Sequence, residues 1–466
     1  RFLHSQVLSL AYGGNDPPLY TWALTAMQRL VGTGLQAVLL INYLLLTVAF
    51  WALLIAARMV LGDARWAALA AWSLVVFPPV ALGHFALTHS VQVVCAAAIT
   101  LLAALGLVRH GRPWDYLALG AALGFGLMSK YNFLLLAAAL GVAALAQAPV
   151  RRRLASPWLL ASLAAMLAVS SPIWLAHMQT VHQWTSMVDQ LRDDALGPLA
   201  ARLSGAVGLA SSVITFVWPL LLVLAVAVPR AFDPRRPVEP AGLDPVLARL
   251  VRDMLATGIV LMLGFVLVAG LPGFNERYML PLLFAVPIYA FGRVLRVGAS
   301  AAAARRSAAG LAGVTVVVLA VRLLELTPFC PQRCAELVPY DRLADTLKDA
   351  GFEGGTIVTG ALVTAGNHVV QFPGSRVLMG AGPAVPAREP AGQCLGIWNA
   401  VDWGPEVARA RVLEAMDLDP ADTGEMVESA VIPWHGGTFS WSWPPEWQER
   451  TSEWHFVLLE DAERCP

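Results

Sequence analysis

Long runs without a single charge dominate the first 327 positions of this 466-residue chain. A helix needs about 20 apolar residues to cross a hydrocarbon core about 30 Å thick, so such runs act as rulers for membrane spans. Residues 35–57 carry no charge, 66–108 form a longer charge-free stretch punctuated by Pro78-Pro79 and Gly83-His84, and 116–150 are interrupted by Lys130 alone. Runs at 154–188, 203–229, 254–275, 278–292 and 307–321 follow, the last two flanked by arginines able to snorkel. They divide into ten expected spans: 35–61, 66–83, 90–108, 114–129, 131–148, 157–176, 205–228, 253–271, 279–297 and 308–326. With 57% hydrophobic and 14% charged residues and a mean hydropathy of +0.62, the chain is excluded from the ordinary water-soluble enzymes and from disordered chains.

The net charge of zero hides two opposed halves. Residues 1–327 hold 23 Lys+Arg against 12 Asp+Glu, and residues 328–466 hold 9 against 20, giving +11 and −11. The expected division is therefore 1–34 as a first external loop, 35–327 as a transmembrane bundle and 328–466 as a water-exposed domain. Arginine placement sets the orientation, because basic residues concentrate in cytoplasmic connections. One set of connections holds sixteen basic residues, among them Arg151, Arg152, Arg153, Arg249 and Arg252, and the alternate set holds six: Arg1, Arg29, Lys130, Arg192, Arg202 and Arg277. The first set is assigned to the cytoplasm, which leaves both chain ends outside a cytoplasmic (inner) membrane. An external start at Arg1 calls for a preceding helix or a cleaved signal, and the helix is the expectation.

After about residue 335 the periodicity alternates. Residues 341–350, 361–372 and 405–416 read as helices, and 356–359, 376–379, 394–398 and 455–460 as strands, which makes a small α/β domain. It lacks a glycine-rich phosphate fingerprint. Cys330, Cys334, Cys394 and Cys465 all fall in this external part, where disulfides persist. Of the three pairings, Cys330–Cys334 with Cys394–Cys465 is favoured, because the latter two flank strands of one sheet.

Before the first span, apolar residues at 3, 7 and 10 suggest a short amphipathic interfacial helix over 2–10, followed by a turn at Gly13-Gly14 and Pro17-Pro18. Lys130 lies between two short spans, so its ammonium should sit near the outer headgroup level, and Arg277 should reach the same level from another span. Two such cations suit a phosphate, the guanidinium offering a bidentate fork. Snorkelling to lipid headgroups is the plain alternative. His4, His84, His89, His177 and His182 all fall on the external side, but no pair has convincing ligand spacing. No cofactor is expected, with a divalent metal left open, and nucleic acid is not a partner.

His4-Ser5-Gln6, then Gly13-Gly14-Asn15-Asp16-Pro17-Pro18-Leu19-Tyr20-Thr21-Trp22, Ala86-Leu87-Thr88-His89, Gly126-Leu127-Met128-Ser129-Lys130 and Arg277-Tyr278-Met279-Leu280-Pro281 occur in that order. This set resembles the landmarks of the lipid-linked sugar transferases of glycosyltransferase family 39, which include protein O-mannosyltransferases and the aminoarabinose transferase of lipid A. The resemblance covers residues 1 to about 326. It implies an all-α polytopic GT-C-like membrane bundle with a small external C-terminal α/β domain. It also implies a glycosyltransferase that moves a hexosyl or pentosyl group from a polyprenyl-phosphate donor to a lipid, glycan or protein acceptor. Lys130, Arg277 and Tyr278 would hold the donor phosphate, His4, Gln6, His89 and Glu276 would contact substrate, and Asp16 would border the reaction centre.

Two departures stand out. The family places an acidic pair just ahead of the position of Arg1, so the main catalytic base is expected upstream, with Asp16 as the candidate within the chain. Many members also carry an acidic residue where this chain has His89. A transporter or lipid flippase competes with this reading and predicts charges at mid-span, where none occurs. A catalytically inactive relative that only binds polyprenyl phosphate competes as well.

Overall fold

The computed structural model describes residues 2–10, 12, 17–82, 88–179, 197–233, 242–298, 300–325, 338–379, 392–399, 405–419, 426–434, 451–460 and 465. Contacts divide the chain into two compact units. One comprises Asn15–Tyr20 and Leu39–Val318, and the other joins Arg1–Gly14 and Thr21–Val38 to Leu319–Pro466.

The first unit is helical, and the protein is a multi-pass membrane protein. Among the described residues, six helices are long and apolar enough to cross a bilayer: Leu35–Leu61, His89–His110, Trp158–Leu175, Pro198–Ala227, Pro245–Ala269 and Ala301–Leu324. Two bent pairs, Phe133–Ala146 with Ala148–Leu154 and Glu276–Leu283 with Val286–Arg296, raise the number to eight if each is one span. Two of the ten expected spans fall short of that ruler. The stretch 66–83 is broken into Ala64–Trp72, a 3-10 turn Ser73–Val76 and Pro78–Ala81. The break falls at Phe77, which is extended ahead of Pro78, as the residue before a proline prefers. The stretch 114–129 is the 15-residue helix Pro113–Leu127, about 22 Å long.

Three helices also begin earlier than the charge-free runs, at Pro198, Pro245 and Ala301. Arg202, Arg249, Arg252, Arg305 and Arg306 occupy those early turns with their side chains exposed. A charge thus marks where the chain meets the headgroups and not where the helix stops. The start of Pro245–Ala269 is instead set locally, by Asp244 accepting from the amides of Val246 and Leu247 ahead of Pro245. Between Pro113–Leu127 and Trp158–Gln179, Gly120 and Gly124 face the Ser162 and Met166 carbonyls at distances that leave no room for a Cβ. Small residues four apart let two apolar helices approach closely where no hydrophobic effect drives them together.

The second unit carries a five-stranded sheet of order β2-β1-β3-β5-β4, with β1 Gly355–Thr359, β2 Arg376–Met379, β3 Gln393–Asn399, β4 Glu428–Pro433 and β5 Thr451–Leu459. β2, β1 and β3 are parallel, and β5 and β4 are added antiparallel. Ile357, Val377 and Leu395 point into one core with Leu343 and Leu347 of the helix Tyr340–Asp349, and Val358, Cys394 and Trp398 point into another with Val412 of Pro405–Ala415. Successive side chains of β1 and β3 therefore enter opposite cores, as in a sheet covered on both faces. The expected helices and strands of this domain are present to within a residue or two, except that β5 starts at Thr451. β4 has no counterpart among the expected elements. Only Ala430 and Ile432 of that strand are buried, too few for an alternation to stand out.

Cys394 and Cys465 form a disulfide across a Cα–Cα distance of 5.7 Å, the pairing expected from sequence. Cys330 and Cys334 lie outside the described residues. The interfacial helix expected over 2–10 is not what forms. Only Phe2–Ser5 is helical, and Leu3 is fully buried in the core of the sheet unit. Beyond it, local bonds divert the backbone: the Tyr12 hydroxyl donates to Val7 O, Trp22 Nε1 donates to Ser9 O, and the Gln6 carboxamide exchanges bonds with both backbone groups of Val377 in β2. Gln6 thereby occupies the ladder groups of an edge strand that would otherwise be open. A helix Leu19–Val31, absent from the expectations, follows the Pro17-Pro18 turn.

Candidate active site

In the membrane unit Tyr20, His89, Lys130 and the Arg277–Tyr278 turn, each part of a family-like landmark, are linked by a chain of contacts. Lys130 stands in the link 128–132 between Pro113–Leu127 and Phe133–Ala146. The link is tightened because the Phe133 ring takes the space a side chain at Gly126 would fill, and the buried Ser129 hydroxyl bonds back to Gly126 O at 2.6 Å. Lys130 Nζ donates to Ser90 Oγ at 3.3 Å, at the start of Thr88–His110. Next to Ser90, His89 is buried, its ring centroid 5.0 Å from that of Tyr20, and the Tyr20 hydroxyl donates to Asn42 Oδ1 at 2.9 Å. Tyr20, Asn42, His89, Ser90 and Lys130 thus form one connected group, with His89 and Ser90 in the first turn of Thr88–His110 and Asn42 two turns into Leu35–Leu61.

Asn132 joins the second cation to this group. Its Nδ2 lies 3.2 Å from Arg277 O and 3.3 Å from Tyr278 O, while its Oδ1 is buried without a bonding partner among the described residues. The Arg277 turn is itself preorganised. Asn275 caps it by accepting from the Arg277 amide at 3.0 Å, and the same Oδ1 takes Arg277 Nε at 3.2 Å. Tyr278 is held edge-on against Phe274, with ring centroids 5.6 Å apart. Glu276, a candidate neutraliser of its neighbour, makes no ion pair with Arg277 among the described residues, and the guanidinium is exposed. An ammonium and an exposed guanidinium on two turns clasped by one carboxamide make an arrangement suited to an anion that arrives from the bilayer edge.

The remaining sequence-nominated residues lie elsewhere or out of view. His4 stacks on Tyr12 at 5.3 Å and the Gln6 carboxamide is engaged by Val377, both contacts lying within the sheet unit. Burial pushes the Tyr12 phenol up, against the lowering pull of the Ser9 amide and Trp22. Asp16 lies outside the described residues, as do His84 and His182. Among the described residues no three His, Cys, Asp or Glu side chains gather as a metal-ligand set. Asn132, Ser90 and Asn42 were not nominated from sequence. Asn132 had one usable signal, its position two residues beyond the lone lysine of a span junction. Ser90 and Asn42 had none, since buried hydroxyls and amides in apolar helices are common packing residues.

Comparison with known proteins gives a consistent answer. The family model for dolichyl-phosphate-mannose-protein mannosyltransferases matches residues 15–175. Two relatives from Rhizobium johnstonii, the lipopolysaccharide core galacturonosyltransferases RgtB and RgtA, are each 26% identical to this chain. RgtB aligns over 93% of this chain and 88% of its own length, and RgtA over 85% and 80%. Among solved structures, ArnT from Cupriavidus metallidurans bound to undecaprenyl phosphate superimposes with a TM-score of 0.56, covering 90% of this chain and 83% of that one. Its apo form gives 0.57 over 99% and 91%, both at 15% identity. The GT-C-like fold read from the sequence is thus present, and over most of its length this chain is similar to membrane glycosyltransferases.

Proposed function

We propose that the protein is an integral membrane glycosyltransferase that moves one sugar from a polyprenyl-phosphate donor to an acceptor on the outer face of the cytoplasmic membrane. The observation that carries this reading is the Asn132 clasp, which ties the Lys130 link to the Arg277–Tyr278 turn. A polyprenyl phosphate enters from the bilayer with its phosphate at headgroup depth, the level at which two cations terminating short helices are available to it.

In this reading the acceptor hydroxyl oxygen attacks the anomeric carbon, a new C–O bond forms, and the bond from that carbon to the phosphate oxygen breaks. The electron pair leaves with the polyprenyl phosphate, whose added charge Lys130 and Arg277 stabilise, so their bonds strengthen as the transition state is reached. The hydroxyl proton goes to a carboxylate, a service generally worth about 10²- to 10⁴-fold in rate. Asp16 is our candidate in the first loop. Tyr278 shares the Arg277 turn and serves the same phosphate. His89 and Glu276 are assigned to substrate contact beside it, and no metal is assigned a role.

For sugar and acceptor, we infer a hexuronic acid and a saccharide of a lipopolysaccharide core. The support is that both relatives aligned along most of their length are named as lipopolysaccharide core galacturonosyltransferases. The test is transfer from polyprenyl-phosphate-linked galacturonic acid to lipopolysaccharide lacking that sugar, read as the mass added to the core. Lys130→Ala and Arg277→Ala should each weaken donor binding by about 1.5–3 kcal/mol, the range for lost charge-assisted bonds, with folding intact. Unchanged donor affinity in both variants would leave snorkelling as their role. Asp16→Asn tests the one candidate named within this chain: loss of transfer with donor binding retained would make Asp16 the base, and retained transfer would remove it from that role.

A further inference from the structure

At the far end of the membrane unit from Lys130, an apolar groove of about 550 Å³ runs between three helical segments and ends at two arginines. Its walls come from Val217 and Leu221 of Pro198–Ala227, Leu255 and Ile259 of Pro245–Ala269, and Val286 and Ala290 of Val286–Arg296; Arg252 and Arg293 stand at its mouth. On Pro198–Ala227 the lining reaches from Val213 to Leu224, about 16 Å of helix. Half of a hydrocarbon core is about 15 Å. The groove therefore has the depth of one leaflet.

The mouth is positively charged and fixed in place. Arg293 Nε donates to Ala231 O at 3.2 Å and its Nη2 to Asp233 O at 3.0 Å, carbonyl partners that orient the guanidinium without neutralising it. Arg252 is held by Asp253 Oδ1 at 2.6 Å, and Gln147 Nε2 donates to the other oxygen of that carboxylate at 3.0 Å. Arg230 adjoins the lining residue Ala231, and Arg249 lies one turn before Arg252, both exposed. Among the described residues here, the guanidiniums of Arg230, Arg249, Arg252 and Arg293 thus outnumber the carboxylates of Asp233 and Asp253. The Gln147 contact also fixes the distance from the candidate active site. Phe133–Ala146 separates Gln147 from Lys130, a rise of about 21 Å.

We infer that this groove binds an anionic bilayer phospholipid of the leaflet opposite the Lys130–Arg277 cluster, its phosphate between Arg252 and Arg293 and an acyl chain along the apolar walls. Basic pockets between membrane helices recognise such headgroups, whereas a groove that only solvates lipid needs no charge at its mouth. The inference does not depend on the proposed transferase reaction, because its readout is lipid retention and not sugar transfer.

The test is native mass spectrometry of the full chain released from detergent containing equal amounts of phosphatidylglycerol and phosphatidylcholine. The expected result is one retained phosphatidylglycerol, favoured roughly tenfold or more over phosphatidylcholine, with the preference lost in Arg252→Gln/Arg293→Gln. Because Arg293 also staples the 231–233 backbone, Ala256→Phe, which fills the groove and leaves every charge in place, is the second variant. It should reduce retention at least tenfold. Equal retention of the two lipids, or phosphatidylglycerol binding unaffected by Ala256→Phe, would mean annular lipid only and overturn the site. Retention of added polyprenyl phosphate in preference to phosphatidylglycerol in wild type, lost in Ala256→Phe, would assign the groove to the carrier instead and equally overturn it.

Discussion

Asn132 is the side chain that ties the Lys130 link to the Arg277–Tyr278 turn. Its amide spans two backbone carbonyls of the Arg277–Tyr278 turn from a position two residues beyond Lys130. Asn132→Ala removes both bonds and leaves two carbonyls to find other partners, so on the proposed function donor affinity should fall by about 1–2 kcal/mol while the helices persist. A raised KM for donor with kcat retained is the outcome expected in steady-state assays, and an unchanged KM would remove Asn132 from the site. His368 makes a second prediction, in the sheet unit. It is wholly buried against Tyr340 and Phe372, and neither ring nitrogen has a bonding partner among the described residues. Burial pushes the imidazole down from 6.5 to about 4. The folded state binds the proton less readily than the unfolded chain does. The stability that depends on the neutral ring is therefore fully present above pH 6.5 and is lost as the pH falls to about 4, on the order of 3 kcal/mol. Hydrogen exchange of residues 355–359 in the intact protein should accelerate over that window, and His368→Phe should flatten the dependence.

At the scale of elements, the bend after Ala146 has a definite cause. Gln147 is extended, Pro149 follows in the first turn of Ala148–Leu154, and the axis turns by 110°. A 14-residue helix is about 21 Å long, so the three arginines of Ala148–Leu154 can lie across the headgroups instead of deeper in the bilayer. In the sheet unit the corresponding constraint is covalent. Cys394 opens β3 beside β1, and Cys465 returns beyond β5, so the disulfide closes a loop with a sequence separation of 71 that contains β4 and the helix Pro405–Ala415. Cys394→Ser should destabilise this unit by about 2–4 kcal/mol, read as earlier unfolding of the β3 and β5 peptides in hydrogen exchange, with the membrane helices unaffected. Equal protection in the reduced and oxidised protein would show that the sheet holds without the bridge.

For the whole molecule, the testable quantity is sidedness. With sixteen basic residues in one set of connections against six in the other, the 229–252 connection should be cytoplasmic and the chain after residue 327 external. A periplasm-dependent reporter fused after Pro466 should be active and the same reporter inserted near residue 240 silent, and the reverse pattern would invert the molecule. In that orientation the Lys130–Arg277 cluster faces the outer leaflet and the Arg252–Arg293 groove the inner one.

Apolar run length, arginine bias and alternating periodicity by themselves determined that this chain is a membrane bundle followed by an α/β domain, and they did so because solvation by lipid or water is decided residue by residue. The placement of Lys130 and Arg277 at the ends of apolar segments was legible for the same reason: an isolated charge in an apolar stretch marks where the chain reaches the headgroups. Sequence could not supply what depends on contacts between distant segments. The break at Phe77 and the early helix starts at Pro198 and Ala301 depend on local backbone geometry and on where charges can reach water, not on where charge-free runs end. Leu3 and Gln6 read as part of an interfacial helix, yet Leu3 enters the sheet core and Gln6 pairs with Val377, more than 370 positions away. Asn132 is one polar residue among many until the fold sets it opposite the Arg277 carbonyl. Only the tertiary structure could decide these, because a hydrogen bond's partner is a property of the packed chain and not of either residue alone.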